Sequence, residues 1–118
     1  MRYMLLIYDR EADMAKMSEA DQGAFFGEYM SFTEAITKSG HHKSGDPLQP
    51  VATATTVRVK NGKTVTTDGP FAETREQLGG YYIVEAKDLD EAIGIAARVP
   101  SSRTGSVEVR PIMEIPGN

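Results

Sequence analysis

The hexapeptide at residues 3–8, YMLLIY, has no polar side. Side chains along a strand point alternately to opposite faces. Tyr3, Leu5 and Ile7 therefore share one face and Met4, Leu6 and Tyr8 the other. A strand apolar on both faces has to be covered on both. The rest of the chain must supply those covers, or supply one and leave the other to a partner.

One cover is legible directly downstream. Residues 9–17 are mixed and polar and read as a connection. Ser18 has the chemistry of a helix N-cap, with Glu19 and Asp21 in the first turn, where the helix dipole favours acids. Phe25, Tyr29, Phe32 and Ile36 then recur at spacings of four, three and four, one stripe on one helix face. Gly40 is the natural stop, so a helix is predicted over about 19–39. Gly23 and Gly27 weaken that helix intrinsically, which points to close packing at both.

The segment ATATTVRVKNGKTVTTD carries the strongest local signal in the chain. Thr- and Val-rich runs flank Asn61-Gly62, the pair preferred in a two-residue hairpin turn. A hairpin over residues 53–67 is expected, less buried than the other strands. GGYYIVEA reads as a further strand, with Tyr81, Ile83 and Glu85 opposite Tyr82 and Val84. Asp88 with Glu91 three residues on forms a capping-box pattern for a second helix, which Pro100 ends. Leu89, Ala92, Ile93 and Ala96 are its expected buried stripe. GSVEVRPIME closes the chain as a strand, and the tail at 115–118 is expected to fray.

With the hairpin set aside, the order is β-α-β-β-α-β, the ferredoxin-like plan. The fold class is α+β, with both helices on one face of an antiparallel sheet. The other face of the first strand is then bare, and a second copy packed face to face is the economical cover. A homodimer is the expectation.

Composition narrows the function. The 118 residues make one domain, 1–118, with 40% hydrophobic and 25% charged residues, as in an ordinary globular protein. The net charge of −4 and the scattered Lys and Arg argue against a nucleic-acid surface. Cysteine is absent, which removes disulfides, thiolate nucleophiles and cysteine-ligated zinc. MRYMLLIYDR is too short an apolar run for a signal peptide and ends in Asp9-Arg10, and no run is long enough to span a bilayer. The expected location is cytoplasmic, with no membrane partner. No P-loop or dinucleotide glycine motif is present, which disfavours redox and nucleotide enzymes, and no cofactor is expected.

The stretch DGPFAETREQLGGYYIVEA closely resembles the signature of the DGPF branch of the YCII-related family. MRYMLLIY, SGDPLQPVATATTVRV and LDEAIGIAARVPSSRTGSVEVRPIME are similar to the same family, so the resemblance spans nearly the whole chain. It implies a dimeric α+β barrel built from ferredoxin-like subunits. It also implies two lines of function: an enzymatic activity suspected from a recurring His and Asp, and an association of the DGPF branch with extracytoplasmic-function sigma factors. Here the first helix holds no histidine, and the two that exist, His41 and His42, follow it. The family's His–Asp pair is therefore not carried over.

The candidate site residues rest on the chain itself. Asp68, at a strand end and fixed by Gly69-Pro70, suits a general base or ligand anchor. It equally suits a turn residue, since Asp-Gly is a common turn former. Glu73 and Arg75 complete a polar pocket or form a solvated charge run. His41-His42 point to opposite faces in a strand and cannot chelate one ion there, so no metal site is expected. His42 alone is a weaker catalytic candidate. Tyr81 and Tyr82 offer an apolar wall with hydroxyl tips for a small-molecule ligand. Three functions stand side by side: a cofactor-independent acid–base enzyme, a ligand-sensing module working with a sigma factor, and a purely structural dimer.

Overall fold

The computed structural model describes residues 1–117; Asn118, the end of the tail expected to fray, lies outside them. Strand β1 (Arg2–Asp9) leads through a short helix, α1 (Glu11–Ala15), to the long helix α2 (Glu19–Lys38). Strand β2 (His42–Pro47) follows, then the hairpin strands β3 (Thr55–Lys60) and β4 (Lys63–Asp68). Strand β5 (Gln77–Glu85), helix α3 (Leu89–Ala96) and strand β6 (Ser106–Pro111) complete the chain. The four-stranded sheet runs β2-β5-β1-β6 with every neighbour antiparallel. With the hairpin set aside, this is the ferredoxin-like order.

Local chemistry explains the helix limits. The Ser18 hydroxyl accepts from the Asp21 amide at 3.1 Å. Gly40 takes φ +82°, and across it the His41 amide donates to the Ile36 carbonyl at 3.0 Å. Asp88 accepts from the Glu91 amide at 2.9 Å while the Glu91 carboxylate accepts from the Lys87 amide at 3.0 Å. The pair resembles a capping box, with the Glu91 carboxylate reaching one residue beyond the N-cap Asp88.

Tyr3, Leu5 and Ile7 are buried under the helices with Phe32, Ile36, Val84, Ile95 and Val99. Met4, Leu6 and Tyr8 stay half-buried, because both long helices cover the same side of the sheet. The hairpin forms its own two-stranded sheet. Its turn has positive φ at both Asn61 (51°) and Gly62 (75°), the mirror-image geometry that Asn-Gly favours. All of β4 and nearly all of β3 are exposed, as the Thr-rich pattern suggests.

Three expectations are corrected. Residues 9–17 are not only a connection, since Glu11–Ala15 makes a helical turn. The buried stripe of α3 is Ala92, Ile95 and Ala96, with Leu89 and Ile93 exposed. The helix is apolar around much of its girth, so the sheet selects the face. Close packing at Gly23 and Gly27 is absent: a Cβ at either would meet nothing within 4 Å. Gly27→Ala should therefore stabilise the protein by about 0.5–1 kcal/mol, the ordinary gain at a helix interior. Chemical denaturation of the two proteins measures it.

Candidate functional site

Helix α2 is seated on the sheet by its C-terminal half, where Phe32 and Ile36 are buried. Its stretch from Phe25 to Thr33 stands over an open cleft of 690 Å³. The sheet supplies the floor: Ile7 and Asp9 from β1, Gly80 and Tyr82 from β5, His42 and Gly45 from β2. The roof is Phe25, Phe26, Tyr29, Met30 and Thr33 of α2. Glu11, Met14 and Ala15 of α1 close one side at helical spacing, and Pro47, Leu48 and Pro50 close another.

Three hydrogen-bonded groups fix the polar part. Tyr82 OH and Thr33 Oγ1 lie 2.6 Å apart, tying β5 to α2. Phe32 meets the Tyr82 ring edge to face at 5.2 Å, and the His42 ring meets it at 5.9 Å. Gly45 makes room for that ring, since a Cβ there would lie 2.7 Å from Tyr82 Cδ1 and 2.8 Å from the Tyr81 carbonyl. Tyr29 OH and the buried Ser101 Oγ are 2.5 Å apart. Asp9 Oδ1 accepts from Thr104 Oγ1 at 2.7 Å.

Helix α1 is held by side chains rather than by core packing, and none of its residues is buried. The Glu11 amide donates to Gln77 Oε1 at 2.9 Å, and the Glu11 carboxylate accepts from the Val51 amide at 3.0 Å. Gln22 donates to the Met17 carbonyl at 3.2 Å.

Burial pushes the Tyr29 phenol above the ordinary 10.0; the bond with Ser101 opposes the rise and the Asp9 carboxylate adds to it. The fold thus favours the protonated phenol. Its contribution to stability is complete below the unfolded-state value near 10 and is lost as pH climbs through the higher folded-state value. Thermal melts should fall more steeply above about pH 10 for the wild type than for Tyr29→Phe. Parallel curves would contradict this.

The structure brings together only part of the predicted set. His42 and Tyr82 face the cleft; Tyr81 is at its border, but it pairs with Leu6 and turns its ring to the other face of the sheet. Tyr81 OH donates to Asp46 Oδ2 at 3.0 Å, and that bond raises the phenol's pKa. His41 turns elsewhere, with Ser39 Oγ 2.6 Å from Nδ1 and Glu91 3.4 Å from Nε2. Asp68 is exposed at the end of β4, is not among the cleft residues, and makes no side-chain hydrogen bond among the described residues. The turn beside it is held instead by Gly69, whose amide donates to Ala54 at 2.7 Å and whose φ is +98°. Glu73 is exposed on the segment after the hairpin. Arg75 lines a separate surface depression with Arg10, Asp13 and Lys16. Asp9, Glu11 and Ser101 border the cleft although no local pattern marks them in the sequence. Asp9 shares with Asp68 only its place at a strand end.

Fold and cleft together define a ferredoxin-like α+β chain with a small-molecule-sized cavity between its long helix and its sheet. The sequence profile of the YCII-related domain matches residues 1–116. The chain belongs to the YCII-related family. It is 33% identical over 114 residues to an uncharacterised protein of Rhizobium meliloti (strain 1021), covering 95% of this chain and 92% of that one. Among solved structures it is similar to 5-chloro-2-hydroxyhydroquinone dehydrochlorinase from Burkholderia phenoliruptrix AC1100 in complex with 2,5-dihydroxybenzoquinone. The TM-score is 0.58 at 14% identity, over 100% of this chain and 99% of that chain, a likeness of fold.

Proposed function

We propose that this protein binds a small ring-bodied molecule in the cleft beneath α2 and moves a proton on it without a cofactor, His42 being the exchanging group. The observation that carries this reading is the cleft: 690 Å³, roofed by aromatic and methionine side chains over an imidazole and paired hydroxyls. Both the volume and the apolar lining with few convergent polar groups suit a small ligand. Imidazole is the side chain that exchanges protons most readily near neutral pH. The Tyr82 ring packs beside it, and Tyr82 and Tyr29 present hydroxyls to a ligand's oxygens. The dehydrochlorinase of similar fold, solved with a dihydroxybenzoquinone, supports ring chemistry on this scaffold.

The reading extends to a homodimer joined through the bare sheet face, which the half-buried Met4, Leu6 and Tyr8 support. Asp68 sits on an arm that stands apart from its own chain's cleft. It takes part in the chemistry only if that arm reaches a second copy. Glu73 and Arg75 have no part in the cleft reading.

Resorcinol is a suitable probe, because its ring C–H exchanges through a keto tautomer by proton transfer alone. In deuterated buffer the protein should accelerate that exchange, as followed by NMR. His42→Gln should abolish the acceleration and keep binding, whereas Asp68→Asn separates the second-copy role from none. Binding with no acceleration would contradict the enzymatic reading. It would favour ligand sensing, the role fitting a place in the DGPF branch that Asp68-Gly69-Pro70-Phe71 supports.

A further inference from the structure

We infer that the cleft selects its ligand by charge: it accepts an aromatic body that is neutral or ends in an amine cation, and rejects the same body ending in a carboxylate. The inference rests on the small-molecule reading of the cleft and adds the ligand's class to it.

The ionisable side chains that face the cleft, tyrosines aside, are Asp9, Glu11 and His42, with neither Lys nor Arg among the described lining residues; Asp46 is at its border, but its carboxylate is with Tyr81 on the other face of the sheet. Asp9 and Glu11 are half-buried. Each of the two carboxylates has a neutral donor: the Thr104 hydroxyl for Asp9 and the Val51 amide for Glu11. No ion pair within 4.0 Å engages either of them among the described residues. Their negative charge is therefore stabilised but not neutralised. The Asp9 carboxylate of the floor contributes to holding the Tyr29 phenol of the roof protonated.

The nearby cations stand on the wrong side of α1 to compensate. Glu11, Met14 and Ala15 face the cleft, while Arg10, Asp13 and Lys16 face the separate depression that Arg75 also borders. One helical turn thus sets Glu11 inward and both neighbouring bases, Arg10 and Lys16, outward. A carboxylate ligand entering the cleft gives up water and meets like charge. An ammonium meets carboxylates and the faces of Phe25 and Phe26, a favourable pairing of cation and ring.

Three probes share one phenol-ethyl body: tyramine ends in an ammonium, 4-propylphenol in a methyl and 3-(4-hydroxyphenyl)propanoate in a carboxylate. Calorimetric titration of the full chain at low salt should give the carboxylate a Kd at least about tenfold weaker than either of the others, the scale of one close charge contact. Glu11→Gln and Asp9→Asn, each checked for folding by circular dichroism, should narrow the gap, as should added salt. A carboxylate that binds as tightly as tyramine overturns the charge selection while leaving the cleft as a site. A gap untouched by both variants and by salt overturns it as well. Failure of all three probes to bind overturns the small-molecule reading, and this inference with it.

Discussion

In light scattering at micromolar concentration the protein is expected to run at twice its chain mass of 12.9 kDa, and Leu6→Asp at the single value. The chain is only 18 Å thick along its shortest axis, the depth of one helix layer on one sheet. Cover on the helix side is complete over β1, where Tyr3, Leu5 and Ile7 are 3%, 0% and 6% exposed. On the other side Met4 pairs across the sheet with Ile83, and Leu6 with Tyr81. These make a continuous apolar band that no element of the same chain covers among the described residues. Glu108 and Arg110 of β6 lie on that face beside it, a polar margin of the kind that rims an interface. A stable pairing should bury at least about 1,200 Å² in total. Leu6 is at the centre of the band, and a carboxylate there would be stranded without a partner in the closed interface. A wild-type chain that scatters as a monomer, or a Leu6→Asp chain that stays dimeric, would contradict sheet-to-sheet pairing.

Ile36→Ala should cost about 2–5 kcal/mol, a large share of a typical domain's stability. Ile36 is 0% exposed and sits at the end of α2 that holds the helix to the sheet. The loss combines the transfer of three buried carbons with the cavity they leave. The effect should reach beyond stability. The same helix carries Phe25, Tyr29 and Thr33 over the cleft, so weaker seating at Ile36 lets the roof lift. Urea denaturation measures the first effect and ligand affinity under native conditions the second. Stability unchanged within about 0.5 kcal/mol would contradict this account of how α2 is seated.

Short-range chemistry made the fold legible and long-range chemistry hid much of the site. Asn61-Gly62 carries its turn within two residues, and Ser18 and Gly40 mark both ends of α2 within one turn each. In contrast, α3 offers two equivalent stripes. Leu89, Ala92, Ile93 and Ala96 have the same spacing as Ala92, Ile95, Ala96 and Val99, and only contact with the sheet selects the second. The cleft is harder still, because it joins positions 9, 29, 42, 82 and 101, which no local window contains. His42 and Tyr82 could be singled out by residue type. Asp9 carries no local mark at the end of an apolar strand, while Asp68 is conspicuous in its tetrapeptide yet stands on an exposed arm. A carboxylate's chemistry depends on what the fold folds over it, and that information lies elsewhere in the chain.

The most direct test of the cleft is a titration of isotopically labelled protein with tyramine, followed by backbone amide shifts. Saturable changes concentrated at His42, Gly45, Gly80, Tyr82 and Ser101 are the predicted result. Changes concentrated at residues 68–75, or none up to millimolar probe, would contradict it.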